Sequence, residues 1–388
     1  MTASALLPGG SVPLAWRNLV ANKRRLVRSS AGIGFAALLM LVQLGFERAF
    51  FEASLNVIEK LDGDLFLLNA SKYRFGADAP FSPRFLYAAA GVAGVASARP
   101  LYGDWLHFFW RSPRDGRRYL VQAFAFDPDQ PVFLLPEVNA VRGRLKEADT
   151  VVVDRNSRRF LGMADGAAQT ELAGRTVRIV GSFALGPDFA SDGTVIMSDR
   201  TFAKLRYGGR ELPDVEAGIV KIAAGTGVPE VQKSLRTALP RDIAVLTKPE
   251  LLAYESGFQA RVSSAGPIFA MGTLVGFVVG MLISYQIVYT DLSEQLPQYA
   301  TLKGIGYETP YLVRIVLEQA ALAGLCGFVP AWLLCLLVYR AIAAVALIPL
   351  HMTFGLTVLS LALTLGMCLI SAALAIRRVI RADPAEVF

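Results

Sequence analysis

Charge is what this 388-residue sequence has least of: Asp, Glu, Lys and Arg together make up 18% of it, against about 25% in an average soluble protein. The shortfall is local. Ser29–Phe46, Val262–Thr290, Ala320–Tyr339 and His351–Ile376 contain none of the four residue types over 18, 29, 20 and 26 positions. Mean hydropathy is accordingly high, +0.44. A bilayer core needs about 20 apolar residues as a helix. The pattern therefore predicts four membrane spans, at 29–50, 263–290, 311–340 and 353–376. It excludes a disordered chain and argues against an ordinary soluble enzyme.

Other absences narrow the chemistry. The two histidines, His107 and His351, have no companions, so no zinc site of normal ligand spacing can be assembled. The three cysteines, Cys326, Cys335 and Cys368, all fall within spans. They read as small apolar packers, and the long block between the first two spans does without disulfides. There is no G-x-x-x-x-G-K-S/T, no H-E-x-x-H and no G-x-S-x-G. Gly304-Ile305-Gly306 follows no strand. Asp62/Asp64 and Asp127/Asp129 sit beside turn residues, where solvated carboxylates far outnumber catalytic dyads. The sequence offers no catalytic, cofactor-binding or metal site.

What is present is a charged block. Residues 53–262 hold 27 Lys+Arg and 24 Asp+Glu, a net +3 of the overall +7, over a length sufficient for its own core. The remaining positive charge marks topology. Arg17, Lys23, Arg24, Arg25 and Arg28 precede the first span, and Arg377, Arg378 and Arg381 follow the last. Ala341–Leu350, between the third and fourth spans, has neither Lys nor Arg. Both termini are thus expected in the cytoplasm and the block on the far side. The charge is diffuse and accompanied by no recognition motif, so nucleic acid is not an expected partner. The first span is too long for a cleavable signal peptide and is followed by Glu47-Arg48, so it should remain as an anchor.

Local patterns fill in the organisation. Within residues 1–28, Leu14, Trp16, Leu19 and Val20 oppose Arg17, Lys23, Arg24 and Arg25, which predicts an amphipathic helix lying in the membrane interface. Beyond Glu47, Phe50, Phe51, Leu55, Ile58 and Leu61 keep a helical spacing as far as Gly63. Pro249-Glu-Leu-Leu opens a matching pattern through Tyr254 and Phe258 to Val262. Two stalk helices are expected to carry the domain 51–262. Within it, strands are expected at Asp64–Asn69, Val95–Leu101, Tyr119–Phe126, Val151–Asp154, Thr176–Phe183, Thr194–Met197, Gly218–Ile222 and Ile243–Leu246. Helices are expected at Ser82–Ala90, Arg155–Leu161, Asp199–Tyr207 and Val228–Leu239, with Ser82, Asp154 and Ser198 at or beside their caps. The class is α+β, in two subdomains: an outer one near 127–215 and one made from the flanks.

Polar residues inside the spans admit two readings. Gln43, Glu47 and Arg48 lie near the outer end of the first span; Arg314 and Glu318 lie four apart at the start of the third. A gating or dimer-interface network fits them, and so does interfacial snorkelling with a local ion pair. Pro330 is expected to kink the third span.

The linker 291–310 carries the most specific signal. Leu296, Tyr299, Ala300, Leu302 and Lys303 can form a short amphipathic helix, Gly304 and Gly306 end it, and Pro310 opens the third span. Such a helix calls for something to dock against, the plain alternative being lipid alone. Leu-Pro-Gln-Tyr-Ala-Thr-Leu-Lys-Gly-Ile-Gly-Tyr resembles the coupling segment of FtsX/MacB-type ABC transporter permeases, whose pattern is Glu-x-Ala-x-Leu-Arg/Lys-x-x-Gly. Its flanking Leu-Pro and Tyr are similar to the DevC branch, the permease subunit of heterocyst-glycolipid-type exporters. Ala15-Trp16-Arg17-Asn18-Leu19 and Asp383-Pro384-Ala385-Glu386-Val387-Phe388 resemble that branch as well. Gln298 stands where the family usually has Glu, so a salt bridge from that carboxylate does not carry over.

The resemblance implies a bacterial inner-membrane protein of four transmembrane α-helices with a large periplasmic α+β domain between helices 1 and 2, the MacB-type (type VII) arrangement. It places a short periplasmic loop at 341–352 and a cytoplasmic tail at 377–388. It also implies a homodimer with two separately encoded ATPase subunits that carry ATP and magnesium, so that the chain itself is non-catalytic and binds no cofactor. A periplasmic adaptor (membrane fusion) protein and a TolC-like outer-membrane channel complete the implied assembly. The implied mechanism is mechanotransmission, from ATPase closure through the coupling helix and stalks to the periplasmic domain. Two rivals stay open. One is an FtsX-like permease relaying ATPase motion to a hydrolase without transport; the other is a membrane-anchored receptor or enzyme whose exported domain binds ligand directly. Glycolipid, peptide, siderophore and drug are all compatible substrates.

Overall fold

The computed structural model describes residues 23–186, 191–210, 212–261, 265–295, 309–346 and 350–380. The chain enters through α1 (Lys23–Glu59), then β1 (Leu65–Asn69), α2 (Arg84–Ala90), β2 (Val95–Asp104), β3 (Phe109–Arg111), β4 (Arg118–Leu120) and β5 (Gln122–Phe126). There follow α3 (Pro136–Leu145), β6 (Thr150–Asp154), β7 (Gln169–Leu172), β8 (Arg175–Phe183), β9 (Thr194–Ser198) and α4 (Asp199–Tyr207). The domain closes with β10 (Ala217–Ile222), α5 (Val228–Ala238), β11 (Ile243–Thr247) and α6 (Lys248–Arg261). Three long helices end the described chain: α7 (Ala265–Glu294), α8 (Thr309–Ala346) and α9 (Phe354–Ile380).

The charge-free stretches became helices because a bilayer leaves no other way to satisfy backbone N–H and C=O groups within one segment. Among the described residues four helices are long and apolar enough to cross a membrane: α1, α7, α8 and α9. The chain is a multi-pass membrane protein. At 37 residues α1 rises about 55 Å, well beyond a hydrocarbon core of about 30 Å. The stalk expected past Glu47 is therefore the same helix continued. α8 runs unbroken through Pro330.

Two compact units result, a helical one and a sheet domain occupying Arg48–Gly266. The domain's eleven strands run in the order β11-β1-β10-β2-β5-β9-β6-β8-β7-β3-β4. Neighbours are antiparallel except for β5–β9 and β6–β8, which are parallel. Side chains alternate between faces along each strand. Phe66, Phe124, Val152 and Ile196 meet in one core on one face, together with Ile58, Leu61 and Leu251. The opposite face carries two cores. Leu65 and Leu67 pack with Leu86, Val231 and Leu235, whereas Ala123, Val151, Val195 and Met197 pack with Trp110 and Phe202.

Two subdomains are thus visible on one face only. β2 pairs with β10 along Val95–Leu101 and with β5 along Tyr102–Asp104, so a single sheet runs through both halves. Arg155–Leu161, expected as a helix, is a turn followed by a 3-10 segment at Arg159–Leu161. The reason is Asp154: its buried carboxylate accepts N–H bonds from Asn156 (3.0 Å), Leu185 (3.0 Å) and Gly186 (2.9 Å), which holds the backbone in a turn. Ser198 does cap α4, its Oγ accepting from the Thr201 N–H at 3.2 Å. Ser82 does not cap α2, whose cap position is Pro83 with no side-chain bond.

Candidate functional site

The coupling residues Leu296, Tyr299, Ala300, Leu302, Lys303, Gly304 and Gly306 lie outside the described residues, as do Trp16 and Arg17. Lys23, Arg24 and Arg25 lie within α1, and Pro310 stands in the first turn of α8. What can be built from side chains is the helical bundle, the root of the sheet domain, and a cleft on that domain.

In the bundle, Ile33, Ala36 and Met40 of α1 meet Leu292 of α7, Val316 and Ala320 of α8, and Met367 and Cys368 of α9. Small residues permit the approach. A Cβ on Gly34 would stand 2.9 Å from the Gly327 carbonyl oxygen, so α1 and α8 touch backbone to backbone. Nearby, the Tyr339 hydroxyl donates to the Leu41 carbonyl at 2.5 Å, in space that any side chain at Gly45 would take. Ser371 Oγ donates to the Met281 carbonyl at 2.7 Å, tying α9 to α7. Such interhelical bonds hold bundles where lipid removes the hydrophobic drive. Of the span polar residues, Arg314 and Glu318 form the expected i,i+4 pair at 2.8 Å. Arg48 pairs with Glu52 at 2.7 Å rather than with its neighbour Glu47, because one helical turn, not one residue, brings side chains together. Gln43 lies against Gly272 of α7.

The root of the sheet domain joins both stalks. Ile58 in the last turn of α1, Leu61 just beyond it, and Leu251 of α6 are fully buried in the same core. Lys248, the first residue of α6, donates from Nζ to the Glu59 carbonyl at 2.8 Å and the Leu61 carbonyl at 3.0 Å. A cation there satisfies the last carbonyl of α1, at Glu59, and that of Leu61 just past it, and complements the helix dipole. Burial pushes the Lys248 ammonium below the usual lysine range. Asp62 and Asp64, read as turn carboxylates, lie beside this root and pair with Lys221 at 2.9 and 3.3 Å. Burial works against Asp62 ionisation, yet Lys221 and Arg99 hold its carboxyl below the ordinary range.

A loop at residues 70–81 straps α6 to the sheet. The Tyr254 hydroxyl donates to the Lys72 carbonyl, the Phe75 N–H donates to Glu255 Oε2 at 2.7 Å, and Tyr73 packs on Phe258 at 5.4 Å between ring centroids. On its other side Lys72, itself buried, donates from Nζ to Glu216 and to the Ala77 carbonyl at 2.7 Å. Burial pushes the Glu216 carboxyl up, to about 7.

The strap forms one wall of a cavity of about 80 Å³ whose lining includes Asp78, Tyr102, Asp104, Trp105, Arg206 and Glu216. Asp104 is saturated. It accepts from Arg206 Nε at 2.8 Å, from the backbone N–H groups of Leu106 and His107 at 2.8 Å, and bonds the His107 ring at 2.9 Å. No group of three or more His, Cys, Asp or Glu among the described residues could hold a metal. No local pattern announces this cavity, since its acids at 78, 104, 214 and 216 share no motif. Lys248 could have been suspected as a cation immediately before a Pro-Glu helix start.

The comparisons with known proteins bear on the whole chain. The FtsX-like permease C-terminal family matches residues 265–384. Uncharacterised ABC transporter permeases of Mycobacterium bovis and of two strains of Mycobacterium tuberculosis are each 24% identical to this chain. In each case the match covers 96% of it and 98% of theirs. Among solved structures, the periplasmic region of MacB from Actinobacillus actinomycetemcomitans is similar at TM-score 0.34 and 11% identity, covering 48% of this chain and 88% of that one. The extracellular domain of the noncanonic ABC-type transporter YknZ from Gram-positive bacteria is similar at TM-score 0.33 and 11% identity, covering 48% and 99%. None of these bears on the DevC branch. A permease of this family points to a non-catalytic membrane subunit and implies an ATPase partner. Over residues 265–384 the chain is similar to the FtsX-like permease family, and along nearly its whole length it is similar to proteins named as ABC transporter permeases.

Proposed function

We propose that the chain is the transmembrane subunit of an ATP-driven exporter, working as a homodimer in the bacterial inner membrane with both termini cytoplasmic and the sheet domain periplasmic. Two ATPase subunits hydrolyse ATP; a periplasmic adaptor and a TolC-like channel receive the domain's motion. Residues 296–306 take up the ATPase stroke, and the stalks transmit it. The observation that carries this reading is the FtsX-like permease match over 265–384, which includes the linker. Further support comes from the root of the sheet domain, where the ends of α1 and α6 share one core and are bonded through Lys248. A stroke delivered to either helix has a stiff path into the sheet.

The test is substitution in the linker of the full chain, co-expressed with its ATPase. Leu302→Asp and Gly304→Trp are expected to insert normally and to abolish the stimulation of ATP hydrolysis by the permease, and export with it. Full ATPase stimulation and export by either variant refutes the coupling assignment. Loss of ATPase coupling in a chain whose deletion changes cell-wall hydrolysis and exports nothing would move the function to the relay type.

A further inference from the structure

We propose that the cavity beside β2 is a docking site for a basic side chain, an arginine or lysine presented by a protein partner of the sheet domain. The charge arithmetic comes first. Four carboxylates line it, those of Asp78, Asp104, Asp214 and Glu216. Asp104 is paired with Arg206, and Glu216 with Lys72. Asp78 and Asp214 have neither a hydrogen bond nor an ion pair from their side chains among the described residues. The cavity therefore keeps two carboxylates, those of Asp78 and Asp214, without a cationic partner among the described residues, in a block of sequence, 53–262, whose overall balance is +3. Its acidity is local.

Size and lining then select the ligand. A space of about 80 Å³ is far below the 300–1,000 Å³ or so of small-molecule sites, and suits one guanidinium or ammonium group. Trp105 and Tyr102 supply ring surface beside the carboxylates, the combination that binds organic cations. The rim is apolar and open: Leu106 is 59% exposed and Tyr207 37%. An aromatic and apolar rim around a pocket for a charged anchor is the make-up of a protein–protein hot spot, in which arginine is a favoured anchor. Charge complementarity thus commits the site to a basic segment of a protein.

The experiment uses the full-length chain in phosphatidylcholine nanodiscs, which carry no net lipid charge. Titration calorimetry follows an acetylated, amidated Gly-Arg-Gly peptide, the same peptide with citrulline for arginine, and putrescine as a free amine. The arginine peptide is expected to bind, and the citrulline peptide and the Asp78→Asn/Asp214→Asn double variant to weaken binding about tenfold, the loss of two exposed ion pairs. Both aspartates are exposed and unpaired, so thermal unfolding of the double variant should match the parent and exclude a folding defect. Absence of binding, equal binding of the two peptides, or wild-type affinity in the double variant overturns the proposal. Tighter binding of putrescine than of the arginine peptide overturns the assignment to a protein partner.

Discussion

Replacing Lys248 by Met keeps the length of the side chain and removes only its ammonium. Two bonds vanish, to the Glu59 and Leu61 carbonyls, and Leu61 is fully buried. A hydrogen bond from a charged donor contributes about 1.5–3 kcal/mol, and a cation at a helix C-terminus about 0.3–1 kcal/mol. Against this stands the desolvation that lowers the Lys248 pKa. The net expectation is a local destabilisation of about 1–3 kcal/mol, or about 5- to 150-fold more frequent opening of the α1–α6 junction. Hydrogen exchange followed by mass spectrometry on the full chain in nanodiscs reads this directly. The amides of Lys60 and Leu61, which bond back to Val57 and Ile58 at 3.1 and 3.2 Å, should exchange faster. Amides of β6 and β9 should not change, and Lys248→Arg should restore most of the protection. Unchanged exchange at residues 59–61 in Lys248→Met would show that the junction is held by packing alone.

Gly45→Val forces a side chain into the place of the Tyr339 hydroxyl and should destabilise the bundle by about 1–3 kcal/mol through overpacking. A double-mutant cycle with Tyr339→Phe, followed by thermal unfolding in detergent, should show a non-zero coupling energy; simple additivity would break the argument. For pH, the raised Glu216 pKa means the folded domain holds that proton more tightly than the unfolded chain does. Its contribution to stability is full below pH 4.5 and is lost as pH rises through about 7. Lys72→Met/Glu216→Gln should therefore remove a downward slope between those limits, at little or no cost near neutrality. An unchanged pH profile in the double variant would contradict this.

The spans were legible because a bilayer tolerates so few departures: a run of some twenty uncharged residues has hardly another fate. The strands were legible wherever alternation was strong, as in Leu65–Asn69, whose side chains feed two different cores. α3 was not, because only Val138 and Leu145 of its ten residues are buried and its sequence shows no apolar stripe. β3 and β7, three and four residues long, fall below the length at which periodicity can be seen. The helix expected at Arg155–Leu161 failed through a contact no local pattern displays, Asp154 gathering the N–H groups of Leu185 and Gly186 from thirty residues away. The cavity was hidden for the same reason. Asp78 and Asp214, far apart in sequence, line one space where the chain bridges Phe81 to Val215.

The continuity of α1 has a consequence for how this chain can vary in length. A helix advances about 1.5 Å and turns about 100° per residue, and α1 is one helix from Lys23 to Glu59. Inserting a single residue between Arg48 and Ile58 would turn Ile58 and Leu61, which the core of the sheet domain receives, about 100° relative to the preceding turns of the same helix. Seven residues would return them to within about 20°. Along α1, only changes of length that restore this phase keep the two apolar residues on the same side of the helix.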